Sequence, residues 1–302
     1  MIRLAVVGHV EWVDFVLADR LPAPGEIADA RASWEAAAGG GAMAAYALKS
    51  LTGAAAFFCA LGDDARADAT LAGLRDAGID VRAARHARPQ RRTLTWLTAD
   101  HERTITTLAA PLEPSGADSL DWSALEGCDG AVLFGGDAAA ARAARAAKVL
   151  VATARTRAAL LEAGVEVDAL VGSANDATEP LDDALLAAAR PRWVVETEGE
   201  RGGRWRAART AGTEAGAGAP GAASPVCELP ALDASGRWDA APPPGPAVDA
   251  FGCGDAFAAA LMAALAAGRP IADACALGAR VGAAVLGQRA PAVGDLAPLW
   301  AP

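Results

Sequence analysis

Histidine, tyrosine and cysteine are scarce in this chain of 302 residues, which has three His, one Tyr and five Cys. The cysteines, Cys59, Cys128, Cys227, Cys253 and Cys275, are odd in number and far apart, with no CxxC pair and no Cys/His cluster at metal-ligand spacing. That argues against a disulfide scaffold or a zinc module and fits a reduced, cytoplasmic compartment. Apolar runs of membrane length are also missing. The opening MIRLAVVGHVEW lacks the longer apolar core and cleavage site of a signal peptide, and the alanine-rich FAAALMAALAAG stops at Gly268-Arg269-Pro270. No basic stripe is present: the net charge is −10 and the Lys and Arg residues are scattered, which argues against a nucleic-acid partner. The absence of GxxxxGK[ST] excludes a P-loop enzyme.

What is present is apolar residue in quantity, 53% of the chain, enough to bury one large α/β core. Ile2 to Val7 reads as a strand buried on both faces, followed by a polar stretch whose Leu21-Pro22-Ala23-Pro24-Gly25-Glu26 excludes a regular helix. After Gly39-Gly40-Gly41 a helix is expected over Ala42 to Leu51, with Gly53 as its stop. Strand and helix then alternate as far as RWVVETEG, the pattern of right-handed crossovers and a mostly parallel sheet. One segment, TLTWLTADHERTITTL, breaks the rhythm: two β-rich runs flank Ala99-Asp100-His101-Glu102 and predict a hairpin outside the main sheet. Ala211 to Pro225, made of small residues with Gly and Pro, reads as a flexible surface loop, and Gly254 to Gly287 as two helices split at Gly268-Arg269-Pro270.

The segment richest in chemistry is Asp249-Ala250-Phe251-Gly252-Cys253-Gly254-Asp255, with an apolar helix directly behind it. Two glycines around a small residue turn the backbone sharply and present N–H groups at a helix start, where the dipole favours an anion. Asp255, in the first turn, is placed to accept a proton from a hydroxyl lined up with phosphorus. Taken alone, such a GxGD is equally a tight turn with a capping aspartate. Cys253 at a helix start suggests a thiol nucleophile, but no histidine lies near it in sequence and a packed cysteine is the plainer role. His9, Trp12 and Trp34 either line a substrate mouth or pack as strand-end and core residues.

In context the string DAFGCGDAFAAALMAAL resembles the C-terminal signature of the PfkB, ribokinase-like carbohydrate kinases, Asp-Thr-x-Gly-Ala-Gly-Asp followed by an alanine-rich helix. PAPGE, GGGAMAAYALKSLTG, ALGDDARADATLAGLRDAGID, TLTWLTADHERTITTL and VVETEGERGG occur in that family's order, so the resemblance covers nearly the whole chain. It implies one α/β domain over residues 1–302, a three-layer α/β/α core with a mostly parallel sheet, and a small β lid from about residues 10–35 and 93–108. It also implies an ATP- and Mg²⁺-dependent kinase acting on a sugar or nucleoside, with Asp255 as the base and Gly252, Cys253 and Gly254 as the anion hole. The nucleotide turn falls on Thr197, Gly199 and Gly202, and Mg²⁺ is expected near Asp176 and Glu179 through water. Substrate hydroxyls fall to Asp14, Gly40 and Gly41, with Glu11 competing because Asp14 sits one residue beyond the usual spacing. A second copy of the chain docking through the lid is a further expectation.

Several positions depart from the family pattern. Ala44 stands where an asparagine follows the double glycine, Ala250 replaces the signature threonine, and Arg280 falls where an asparagine is common near adenine. These leave phosphoryl transfer intact and open the acceptor to sugars, sugar phosphates and nucleosides alike. A sugar- or nucleotide-sensing protein that kept the fold and lost turnover is the non-enzymatic alternative. Gly39 to Ala44 also satisfies GxGxxA, the dinucleotide fingerprint, but SWEAAA supplies only a poor strand before it.

Overall fold

A computed structural model describes residues 2–99, 102–208 and 234–300. The expected surface loop Ala211 to Pro225, Cys227, and the hairpin residues Asp100 and His101 lie outside the described residues. The chain opens with β1 (Leu4–Gly8), β2 (Glu11–Leu17), β3 (Ala32–Ala38) and α1 (Gly40–Thr52), followed by β4 (Ala56–Leu61), α2 (Ala65–Asp76) and β5 (Asp80–Arg85). The expected hairpin is β6 (Arg92–Leu97) and β7 (Arg103–Thr107). Alternation resumes with β8 (Gly130–Phe134), α3 (Ala138–Ala144), β9 (Val149–Thr153), α4 (Arg157–Ala163), β10 (Ala169–Ser173), α5 (Asp183–Ala189) and β11 (Trp193–Thr197). Two short strands, β12 (Gly203–Ala207) and β13 (Ser235–Trp238), precede α6 (Cys253–Ala266) and α7 (Ile271–Leu286).

Nine strands form one sheet in the order β13-β12-β11-β10-β9-β8-β1-β4-β5, parallel from β11 to β5 and antiparallel at the β12 and β13 edge. The central strands are apolar throughout because both faces are covered, and every residue of β1, β8 and β9 is buried. Val6, Val132 and Val151 point into the core shared with α1, α6 and α7, while Ala5, Val7, Ala131 and Leu133 point to that of α3, α4 and α5. The result is a three-layer α/β/α arrangement. Helix α6 is alanine-rich because it is enclosed: every residue from Ala256 to Ala266 is buried, and small side chains let it pack closely against α1 and α7.

Strands β3, β12 and β13 escaped the sequence reading. In β12 the alternation Arg204-Trp205-Arg206 carries the strand period, but arginines on the open face mask it. SWEAAA, a poor strand by composition, is β3; it forms because β2 pairs with it along its full length and Trp34 stacks on Phe15 with ring centroids 5.0 Å apart. It belongs to a second sheet, β3-β2-β6-β7, in which β2 and β6 are parallel and the outer pairs antiparallel. It is therefore no part of a dinucleotide-binding βαβ unit. This small sheet is tied to the core through aromatics: Phe15 meets Phe251 edge-on at 5.1 Å, and the Trp34 indole donates to the Ala290 carbonyl at 2.8 Å.

In the main sheet Asp168 is buried with its carboxylate accepting from the Leu150 N–H and from Arg145, both at 2.8 Å, while Arg192 lies 3.4 Å from its other oxygen. Removing it takes the carboxylate away from two guanidinium groups and leaves the buried Leu150 N–H without its acceptor. Asp168→Ala should therefore lower the unfolding free energy by about 3–5 kcal/mol, measured by urea denaturation.

Candidate active site

Strand order reverses between β1 and β8, and in open α/β sheets the crevice beyond the carboxyl ends of the strands at that point is where ligands bind. His9, one residue past β1, crosses it. Its Nδ1 lies 3.0 Å from the Phe134 carbonyl at the end of β8, and its Nε2 accepts from the Gly40 N–H at 3.3 Å. One ring nitrogen donating and the other accepting assigns the neutral Nδ1–H tautomer. The imidazole thus pins the start of α1 to the switch point, a positioning role. The glycine run permits the approach: a Cβ on Gly41 would stand 2.6 Å from the His9 carbonyl.

Helix α6 begins in the same place. Gly252 is its N-cap with φ of 81°, and a Cβ there would stand 2.5 Å from the Met43 methyl of α1, so only glycine fits the turn. Gly254 differs, since nothing lies within 4 Å of where its Cβ would be. The first N–H groups of a helix have no acceptor within it, so the open side of Gly254 faces unengaged donors at a positive dipole end. Asp255 stands in that first turn, and a Cβ on Gly40 would come within 3.1 Å of its Oδ1. Two helix starts therefore converge on one carboxylate. Burial raises its pKa above the ordinary aspartate value, while Arg103 and Arg155 pull it back and Glu11 pushes it further up. Asp249 anchors the turn from behind, accepting from the N–H groups of Phe251 at 2.9 Å and Ala290 at 3.0 Å. Burial pushes the Cys253 thiol up to about 12, which argues against a thiolate nucleophile there.

Beside this crevice runs β2, whose period of two separates the candidate carboxylates. Glu11 is buried on the face that looks toward the core, shared with Val13 and Phe15, and it pairs with Arg91 at 2.6 Å and accepts from the Thr93 hydroxyl at 3.2 Å. Asp14 falls on the opposite face and pairs with Arg92 at 2.7 Å. The structure thus brings Glu11, Gly40 and Gly41 toward Asp255 and leaves Asp14 on the other side of the small sheet. Arg91 continues to Glu113, which accepts from the Gly136 N–H past β8. Sequence reasoning missed Arg91 and Glu113, which lie in loops without a motif. Ala44 is buried in α1, Trp12 bonds Glu35 within the small sheet, and Arg280 is exposed on α7.

On the far side of Asp255 the strands β9, β10 and β11 end in three adjacent loops. Thr197 closes β11, and the turn behind it is held by the Glu198 N–H on the Gly202 carbonyl at 2.8 Å and the Gly202 N–H on the Gly199 carbonyl at 3.0 Å. A Cβ on Gly199 would stand 2.9 Å from the Asn175 amide nitrogen, so this turn abuts the loop bearing Asp176 and Glu179. Both of these carboxylates are taken by Arg155, whose Nη2 lies 2.6 Å from Asp176 and whose Nε lies 2.6 Å from Glu179. Hydrogen bonds from Thr178 hold the Asp176 pKa below its usual value, whereas burial raises that of Glu179. With a guanidinium already bridging them, the pair does not fit a resident metal ion.

A glycine turn at a helix start, a half-buried carboxylate beside it, a small covering sheet and a second turn across the crevice form one constellation. The model of the pfkB family of carbohydrate kinases matches residues 1–296. The chain belongs to that family. Among solved structures this pfkB chain is similar to *Arabidopsis thaliana* ribokinase complexed with ribose and ATP, at 19% identity over 99% of each chain with a TM-score of 0.69. It is likewise similar to *Sinorhizobium meliloti* adenosine kinase, at 20% identity over 98% of each chain and a TM-score of 0.71. *Escherichia coli* phosphofructokinase-2 in complex with fructose-6-phosphate gives 16% identity, 95% of this chain and 94% of that one, and a TM-score of 0.62. At such identities the likeness shows the shared ribokinase-like fold. No curated protein matches by sequence.

The two glycines of the pfkB turn should respond differently to a methyl group. Gly252→Ala should cost about 1–3 kcal/mol of stability through backbone strain and the Met43 clash. Gly254→Ala, in open space within a helix, should gain about 0.5–1 kcal/mol. Denaturant titration of both variants checks the pair.

Proposed function

We propose that the protein is an ATP-dependent kinase that transfers the γ-phosphoryl group to a hydroxyl of a sugar or a similar polyhydroxy compound. The observation that carries this reading is the convergence of the α1 and α6 starts on Asp255 at the topological switch point. Residues 1–302 act as one kinase unit, with the sheet of β2, β3, β6 and β7 as the lid over the acceptor. The donor is MgATP, its ion arriving with the nucleotide, and its base and ribose lie toward Thr197, Gly199 and Gly202.

In the step proposed, Asp255 takes the proton of the acceptor hydroxyl as its oxygen bonds to the γ-phosphorus. The bond from that phosphorus to the β–γ bridging oxygen breaks, and its electron pair leaves with ADP. The N–H groups of Gly252, Cys253 and Gly254 bind the equatorial oxygens of the group in flight, where charge is spread in the transition state. The buried Glu11, with Arg91 beside it, orients an acceptor hydroxyl, and Gly40 and Gly41 let the substrate approach the backbone closely. A raised pKa makes Asp255 a stronger base.

Asp255→Asn tests the assignment, because the amide is nearly isosteric but accepts no proton at neutral pH. Turnover in an ATP-consumption screen over sugars and nucleosides should fall by at least about 100-fold, and retention of more than about a tenth of wild-type turnover would overturn the role. The wild-type kcat/KM should fall with acid through a pKa above the ordinary aspartate range.

Stability should move the other way. A carboxyl whose native pKa is raised binds its proton more tightly when folded, so its contribution is full below the unfolded pKa and is lost as pH rises through the native one. Ionised Asp255 therefore costs stability at neutral pH. Asp255→Asn should raise the melting temperature at pH 7, with the gain shrinking as pH falls below the raised native pKa and gone below about pH 4, the unfolded aspartate range.

A further inference from the structure

Arg155 matches none of the motifs that carry the resemblance. It follows the end of β9 in a short 3₁₀ turn, Ala154–Thr156, at the carboxyl edge of the sheet where the crevice opens. Its guanidinium is held on two sides by Asp176 and Glu179, both carried by the loop after β10. Nη1 has no partner among the described residues, and half of the side chain is exposed. The cation is thus fixed in orientation and left with one free edge. It stands beside the loop that abuts the Thr197 to Gly202 turn, and its charge also reaches Asp255.

A guanidinium between a nucleotide turn and a catalytic base lies along the path a polyphosphate takes from one to the other. Its planar fork suits phosphate oxygens, and two carboxylates behind it limit the rotamer entropy lost on binding. They also leave the cluster with one net negative charge, so an approaching anion finds attraction only at the free edge. We propose that Arg155 contacts the β- or γ-phosphate of the donor, with Asp176 and Glu179 as positioning residues that aim it. This rests on the kinase reading above and assigns to a fixed side chain the place the resemblance gives to a metal ion held through water.

Isothermal titration of MgATP, MgADP and AMP into the wild type, Arg155→Ala, Arg155→Lys and Glu179→Gln tests it, with the melting temperature of each measured alongside. Loss of one charge-assisted contact predicts a rise of about 10- to 100-fold in the Kd of MgATP and MgADP for Arg155→Ala, with AMP binding unchanged. Arg155→Lys should fall between, having the charge without the fork. Glu179→Gln should weaken MgATP less than Arg155→Ala and add little in the double variant, as expected for a residue acting through another. A tie that serves only the fold would lower the melting temperature of Arg155→Ala and leave the three ligands in the same order of affinity, which overturns the proposal. Equal loss of AMP and MgATP overturns it as well. If the wild type binds none of the three, the kinase reading falls and this assignment with it; if the wild type binds MgATP and Arg155→Ala binds it equally, only this assignment falls.

Discussion

The packing of the α1 start against Asp255 is the constraint around which the rest of the molecule is arranged. For Gly40 to lie within van der Waals reach of that carboxylate, α1 must come down onto the end of β1, which only a glycine can do beside the His9 carbonyl. For α6 to begin at the same point, Gly252 must turn through a positive φ under Met43 of α1. The two helices then share a face, and alanine along α6 keeps them close. A bulky side chain at any of these contacts would move Asp255, the Gly252 to Gly254 turn, or both. Burying an acid this way opposes folding, and the surrounding apolar core makes up the difference.

The second organising feature is a joint near Ala290. Its N–H is held by Asp249, which also fixes Phe251, and its carbonyl accepts from Trp34 of the small sheet. Arg289 lies over the same indole at 3.5 Å. One residue thereby links the small sheet to the turn that starts α6. The rings of Trp34, Phe15 and Phe251 form an unbroken line of contact from β3 to that turn.

Much of the fold was legible because its signals are local. Buried strands are continuous apolar runs, helices end at Gly53, Gly164 and Gly268, and Asp255 is announced by its glycines. What sequence could not supply was pairing. Strand β3 is poor in strand formers and exists through β2; β12 and β13 hide behind arginines; and the choice between Glu11 and Asp14 waits on which face of β2 meets the core. Arg155 has the same character. Nothing in ATARTRAA distinguishes it from Arg157, which binds Asp182 at the surface, until the β10 loop places two acids against it.

The small sheet is assembled from chain segments that do not adjoin. Strands β2 and β6 pair in parallel, Trp12 beside Arg92 and Leu17 beside Leu97, and between them the chain lays down β3, α1, β4, α2 and β5. Closing that register means bringing together residues eighty positions apart, a loop-entropy cost that the intervening core strands reduce once they have docked. The cover is therefore the part of this region that depends on the order of assembly. A nascent chain that has emerged only as far as β5 holds β2 and β3 as a bare two-stranded ribbon, which on its own is marginal in water. Until β6 emerges from the ribosome, the edge of β2 that it will cover is unpaired backbone, open to pairing with another strand.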